Sequence, residues 1–154
     1  MDAISPASTA ARQLWMSVLA KASAGEILDA WNNLTVKPDY HFLRAPETGL
    51  VMIQARAGGS GQRFNFGEMT MTKCIVELAD GTMGHAYVAG SDPAHAEIAA
   101  VLDAVLQAED GDDSVMEDII APLAGEQLNR RRTVETKTAA TRVDFFTLVR
   151  GEDE

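Results

Sequence analysis

Cysteine is nearly missing from this chain: Cys74 stands alone among 154 residues. No internal disulfide can form, and a reducing cytosol is the expected setting. Long apolar runs are missing too; nothing approaches the ~20 residues needed to span a bilayer. The first residues, MDAISPASTAARQ, lack the basic start and apolar segment of a secretion signal. Positive charge is scarce, with 13 Lys+Arg against 23 Asp+Glu and a formal net charge of -10. That balance opposes nucleic acid as the main partner, because duplex binding draws on phosphate neutralisation. The signature loops of common enzymes are absent as well. There is no G-x-x-x-x-G-K-[ST], no G-x-G-x-x-G leading from strand to helix, and no G-x-S-x-G. The acidic turn at 109–113 lacks the spaced ligands and distal Glu of a calcium loop.

What is present describes an ordinary globular protein. Hydrophobic residues make up 46% and charged residues 23%, which excludes a disordered chain. The length suits one domain, 1–154, able to bury roughly two-thirds of its unfolded surface without a metal or disulfide staple. Residues 1–8 are expected to be flexible. The organising stretch is 80–106, DGTMGHAYVAGSDPAHAEIAAVLDAVL. Asp80-Gly81 between two strand-rich runs predicts a two-residue hairpin turn with positive φ. Gly90 lets the chain leave the strand sharply, and Asp92-Pro93 reads as an N-cap followed by the favoured first helical residue. Ile98, Val101, Leu102, Val105 and Leu106 then form one helical stripe, with Glu97 and Asp103 off it. The helix 93–108 should lie at the centre of the core.

Around it the chain divides readily. Ala11, Leu14, Trp15, Val18 and Leu19 make an N-terminal helical stripe. Ser23 with Glu26 is a capping box that starts a second helix, carrying Ile27, Trp31 and Leu34. Residues 40–45 and 50–57 read as strands about a turn at 46–49, and 69–78 pairs with 82–89 in a second hairpin. Ser114 and Glu117 suggest another capping box before a helix that Pro122 disturbs. Residues 124–141 are polar, with Leu128 and Val134 the only large apolar side chains, and suit a partner-facing helix. Residues 143–149, VDFFTLV, add a strand or pair with another chain. The expected fold is α+β: an antiparallel sheet of about four or five strands, with helices packed mainly on one face.

Candidate chemistry is sparse. The loop Gly58, Gly59, Ser60, Gly61 is a connection between hairpins, or an anion nest of backbone amides with Arg63 beside it. Arg44 and Arg56 lie in the same part of the chain, and Arg130, Arg131 and Arg132 form a short run. His85 and His95 flank Gly90, with Asp92 and Glu97 near in sequence, but H-x9-H matches no metal signature, and structural roles for the imidazoles are the simpler reading. Cys74, inside a strand, reads as a buried small hydrophobe. Met52, Met69, Met71 and Met83 read as core filler. No metal set and no active site emerge from spacing alone.

Four segments carry a resemblance: ARQLWMSVLA (11–20), PETGLVMIQARAGGSGQRFNFGEMT (46–70), DGTMGHAYVAGSDPAHAEIAAVLDA (80–104) and RVDFFTLVRG (142–151). In these the chain resembles the PhnG family, a small subunit of the bacterial carbon–phosphorus lyase system for phosphonate breakdown. The resemblance implies a hetero-oligomer with a nucleosidase-like subunit, a companion small subunit and an ATPase-type subunit. Together these transfer ribose triphosphate from ATP onto methylphosphonate and release adenine, before a radical iron–sulfur subunit breaks the carbon–phosphorus bond. ATP is then a substrate of the complex, this chain binds no cofactor, and no catalytic residue carries over. If a side chain here reaches substrate, Arg63 beside Gly58, Gly59 and Gly61 is the first choice, since a guanidinium with backbone amides can hold a phosphate. His95 at a helix N-terminus is the second. Two other classes stand beside this one: a self-sufficient enzyme built on the same residues, and a regulatory or interaction module unrelated to phosphonates.

Overall fold

The computed structural model describes residues 6–34, 37–108 and 113–141. Helices α1 (Pro6–Lys21) and α2 (Ala24–Asn33) come first. Two long strands follow, β1 (Tyr40–Arg56) and β2 (Arg63–Leu78), joined through a single 3₁₀ turn at Ala57–Gly59. A short strand β3 (Met83–Ala89) leads to α3 (Pro93–Val105). The last described part runs from α4 (Asp113–Val115) through a π-helical turn (Met116–Ile120) into α5 (Ala121–Ala140).

The sheet is antiparallel with order β1-β2-β3, so it has three strands among the described residues and not four or five. The difference arises at 46–49, where a turn was expected. Both halves of β1 pair with β2, Tyr40 opposite Leu78 and Leu50 opposite Thr70, and register shifts between Phe42 and Arg44 and between Arg44 and Glu47 absorb the irregularity. Pro46 is tolerated because β1 is an edge strand, where a missing backbone donor deprives no neighbour. A Pro-Glu-Thr-Gly sequence therefore bends a strand here instead of reversing it. The 143–149 segment lies outside the described residues.

The β2–β3 hairpin forms where expected, with a different turn. Leu78 N–H donates to the Thr82 carbonyl at 2.9 Å, and Thr82 N–H donates to the Asp80 carboxylate at 2.8 Å. Only Gly81 has positive φ (+87°), so three residues close the loop instead of the expected two. Gly90 takes φ +98° as the chain leaves β3, and the Asp92 carboxylate accepts from His95 N–H at 3.0 Å to cap α3.

Helix α3 lies across β2 and β3, with α1 and α2 packed on it in turn. Cys74, Val76 and Leu78 on β2 and Ala86 and Val88 on β3 meet Val101, Leu102 and the α3 alanines in one buried cluster. The approach is close at Gly84: a Cβ there would lie 1.9 Å from the Ala100 carbonyl oxygen. Val115, Ile119, Ile120 and Leu123 close the core from the other side of α1. The π turn ends on a bond from Ala121 N–H to the Met116 carbonyl, one residue before Pro122, whose lack of a donor it accommodates. Ser114 lies inside α4 and not ahead of it. From Leu128 to Thr141 every residue is exposed; Arg130 reaches back to the Glu26 carboxylate of α2 at 3.1 Å, and past it α5 stands clear of the other described elements. No helix among the described residues is long and apolar enough to cross a membrane.

The four strand methionines do not fill the core. Met69, Met71 and Met83 alternate with the buried residues of their strands and fall on the sheet face opposite α3, while Met52 lies past the end of the helix layer.

Candidate functional site

The β1–β2 ladder continues well beyond β3. Pairing with β3 stops at Met71 opposite Ala89, whereas β1 and β2 go on from Gly49 opposite Met71 to Arg56 opposite Arg63. Residues 49–56 and 63–70 therefore form a two-stranded arm. It rises from Met71 to its tip by on the order of 25 Å at the usual strand advance. Thr72, fully buried, holds its base. Its hydroxyl lies 3.0 Å from that of Thr48, donates to the Gly90 carbonyl at 2.8 Å and accepts from Asp92 N–H at 3.3 Å.

The tip carries the glycine loop. Gly58 and Gly59 have φ of +59° and +79°, and Gly61 N–H closes the turn on the Ala57 carbonyl at 2.8 Å. A Cβ at Gly61 would fall 2.6 Å from that same oxygen. Arg56 and Arg63 form the last cross-strand pair. Arg56 donates to the Gly61 carbonyl at 3.2 Å; the Arg63 guanidinium has no hydrogen-bond or ion-pair partner among the described residues. The arm's apolar side chains are open, Leu50 67% and Phe66 70% exposed, with Met52 and Phe64 about half exposed. Phe64 and Phe66 meet edge to face with centroids 6.3 Å apart. Motif spacing in the sequence does not reveal this surface. Its signal was there: residues 48–67 contain no acidic residue in a chain that has 23.

His95 lies elsewhere. Its ring is buried in the first turn of α3, with Nε2 2.7 Å from the Leu19 carbonyl oxygen. The structure does not bring it to Arg63, which sits at the far end of the arm. His85 and His95 do not converge either: His85 Nδ1 is 3.3 Å from the Arg12 guanidinium. Among the described residues no three His, Cys, Asp or Glu side chains gather as a metal set.

Two further clusters contain ionisable groups. Tyr40 donates its hydroxyl proton to the Glu97 carboxylate, and burial together with that bond pushes the phenol up to about 12. Burial, with the Glu97 charge, raises the Cys74 thiol to about 11. Groups this far from neutrality make poor acid–base or nucleophilic catalysts. The second cluster centres on Asp103, fully buried although helical periodicity put it off the apolar stripe. It accepts from Arg12 at 2.8 and 3.2 Å, Trp15 Nε1 at 2.8 Å, His85 N–H at 2.9 Å and Gln107 at 3.0 Å. Its acceptor positions are used, so it ties α1 and α3 to the edge of β3 and holds nothing in reserve for chemistry.

Comparison with known proteins adds the missing context. Residues 10–151 match the model of a family described as phosphonate metabolism protein PhnG. A relative from Rhizobium meliloti (strain 1021), named alpha-D-ribose 1-methylphosphonate 5-triphosphate synthase subunit PhnG, is 45% identical over 150 residues. That alignment covers 96% of this chain and 94% of the relative.

Proposed function

The chain belongs to the PhnG family of phosphonate metabolism proteins, and from that membership we propose that it is a subunit of the α-D-ribose 1-methylphosphonate 5-triphosphate synthase of the carbon–phosphorus lyase pathway. The observation that carries this reading is the near full-length match to a synthase subunit. In the proposed reaction a ribose triphosphate moves from ATP to methylphosphonate, and adenine leaves. ATP is a substrate of the assembly, and this chain contributes no cofactor.

Its part is to build and shape the site, with the chemistry on its partners. General acid–base or nucleophilic catalysis needs paired groups within hydrogen-bond reach and with suitable pKa values. The buried Cys74, the Tyr40–Glu97 pair and the saturated Asp103 are spoken for by the fold. A net charge of -10 also makes the chain a poor lone host for ATP. Arg63, with Gly58, Gly59 and Gly61, is the proposed contact to substrate phosphate; His95 is a second, which needs its imidazole released from Leu19. A nucleosidase-like subunit, a companion small subunit, an ATPase-type subunit and a radical iron–sulfur subunit are the proposed partners, in the cytoplasm. The exposed half of α5, with Leu128 and Val134 outward, is a proposed partner-facing surface. A module unrelated to phosphonates finds no support in a match of this extent.

The test is capture of the tagged chain from cells grown on methylphosphonate as sole phosphorus source. The other synthase subunits should co-purify in fixed ratio. Their absence from a stable, intact preparation would overturn the reading.

A further inference from the structure

We propose that the two-stranded arm is a docking finger, which enters an apolar cleft of another synthase subunit and presents Arg56 and Arg63 to the triphosphate of the nucleotide held there. This rests on the subunit reading above and names the surface, the partner and the ligand group.

The arm is built as an insert. A two-stranded ribbon is marginal in water by itself, yet this one carries Leu50, Met52, Phe64 and Phe66 exposed, with no helix over them among the described residues. Open aromatic and aliphatic side chains on a narrow ribbon mark a surface completed by another molecule. Rigidity at the base fits the same role. Thr72 links β1, β2 and the turn into α3, so the arm is set in direction before it docks, which limits the ordering cost of binding.

Charge identifies the occupant. The arm, 49–56 and 63–70 with its tip, has one of the twenty-three acidic residues, Glu68 on the side nearer its base, and two of the thirteen basic ones. The two are Arg56 and Arg63, opposite each other in the final pair of the ladder. Like charges directly opposite are destabilising on a sheet, and an anion between the guanidinia removes the conflict. A triphosphate offers several such oxygens, and guanidinia bind them with strong charge-assisted bonds. A second copy of this chain fits poorly, because each copy brings a net charge of -10 and the two repel. The tip is also narrow enough to enter a cleft: the glycines at 58 and 59 turn the chain within a few residues, and the contact of Gly61 with Ala57 leaves no space for a side chain.

The experiment uses the synthase assembled from its coexpressed subunits, with amide hydrogen exchange on the free and assembled chain. Peptides over 49–56 and 63–70 should exchange at least about tenfold more slowly in the assembly. The double variant L50S/F66S alters exposed positions and should keep the unfolding midpoint of the isolated chain, while affinity for the other subunits falls by about tenfold or more, as for loss of interface anchors. R56A/R63A should still assemble and raise the KM for ATP by about tenfold. Unchanged exchange in the assembly, or wild-type affinity for L50S/F66S, overturns the docking role. Arm protection that appears in the isolated chain with rising concentration points to a second copy and also overturns it. R56A/R63A with wild-type KM, or with lost assembly, removes the triphosphate assignment. A wild-type chain that binds no other subunit sinks the subunit reading itself, a distinct result.

Discussion

Asp103 accepts the backbone N–H of His85 at 2.9 Å, so a carboxylate from the central helix occupies the open edge of strand β3. Edge strands need such cover, because unpaired backbone groups invite foreign strands. The same carboxylate holds Arg12 and Trp15 of α1, which joins three elements through one buried charge. Removing one partner of a buried, hydrogen-bonded charge network typically costs about 3–5 kcal/mol. Asp103→Ala should therefore lower stability by that order in urea denaturation, and Asp103→Asn should do the same in part, since its amide meets the Arg12 donors. A loss below about 1 kcal/mol would show that the network adds little.

Gly84 allows the closest approach of sheet and helix. Gly84→Ala sets a methyl 1.9 Å from the Ala100 carbonyl and 2.7 Å from Ala104 N, both backbone atoms that cannot step aside alone. Overpacking of this kind costs about 1–3 kcal/mol and sometimes more; the variant should sit at or beyond the upper end, read as a lower unfolding midpoint. A variant as stable as the parent would mean that α3 shifts freely on the sheet.

Capping gives a smaller effect. Ser23 and Glu26 exchange hydrogen bonds at the start of α2, Ser23 N–H to the Glu26 carboxylate at 2.7 Å and Glu26 N–H to the Ser23 hydroxyl at 3.4 Å. Ser23→Ala should cost about 1 kcal/mol. The bond from Ser23 N–H, chiefly, holds the Glu26 carboxyl below its usual value. Its contribution is present above the unfolded pKa and is lost as pH falls through the lower folded one, so Glu26→Gln should flatten the acid limb of the stability curve.

Alkaline behaviour follows from Tyr40 and Cys74, raised to about 12 and about 11. Both keep their protons longer in the folded state than in the unfolded chain. Stability should hold below the ordinary pKa of each group, then decline as pH rises toward 11 and 12. Tyr40→Phe should remove part of that decline. Cys74, buried and protonated, should react with a thiol reagent only as fast as the fold opens. Rapid labelling at neutral pH in the native protein would contradict its burial.

Local signals in the chain were largely readable because their physics is local. The capping box at Ser23–Glu26, the Asp92–Pro93 helix start, the turn at Gly81 and the break at Gly90 each depend on a few neighbouring residues. The readings that failed needed tertiary information. Pro46 looked like part of a reversal because nothing local says that β1 lies at the sheet edge. Asp103 looked solvent-facing because periodicity does not reveal Arg12, Trp15 and the β3 edge waiting for it. The arm was hidden because 50–57 was expected to pair with 40–45 and Met52 to fill the core, whereas 49–56 pair with 63–71 and α3 does not extend over them. Arg63 and the glycine loop could be named from sequence; that they share the tip of a projecting ribbon could not.

The most direct test of the account is adenine release from ATP and methylphosphonate by the reconstituted synthase, with this chain present, omitted or added alone. Release should be lost on omission, restored when the chain is added back, unchanged with Cys74→Ala and absent with the chain by itself. Full release without this chain, or turnover by this chain alone, would contradict a subunit that shapes the site while its partners carry the chemistry.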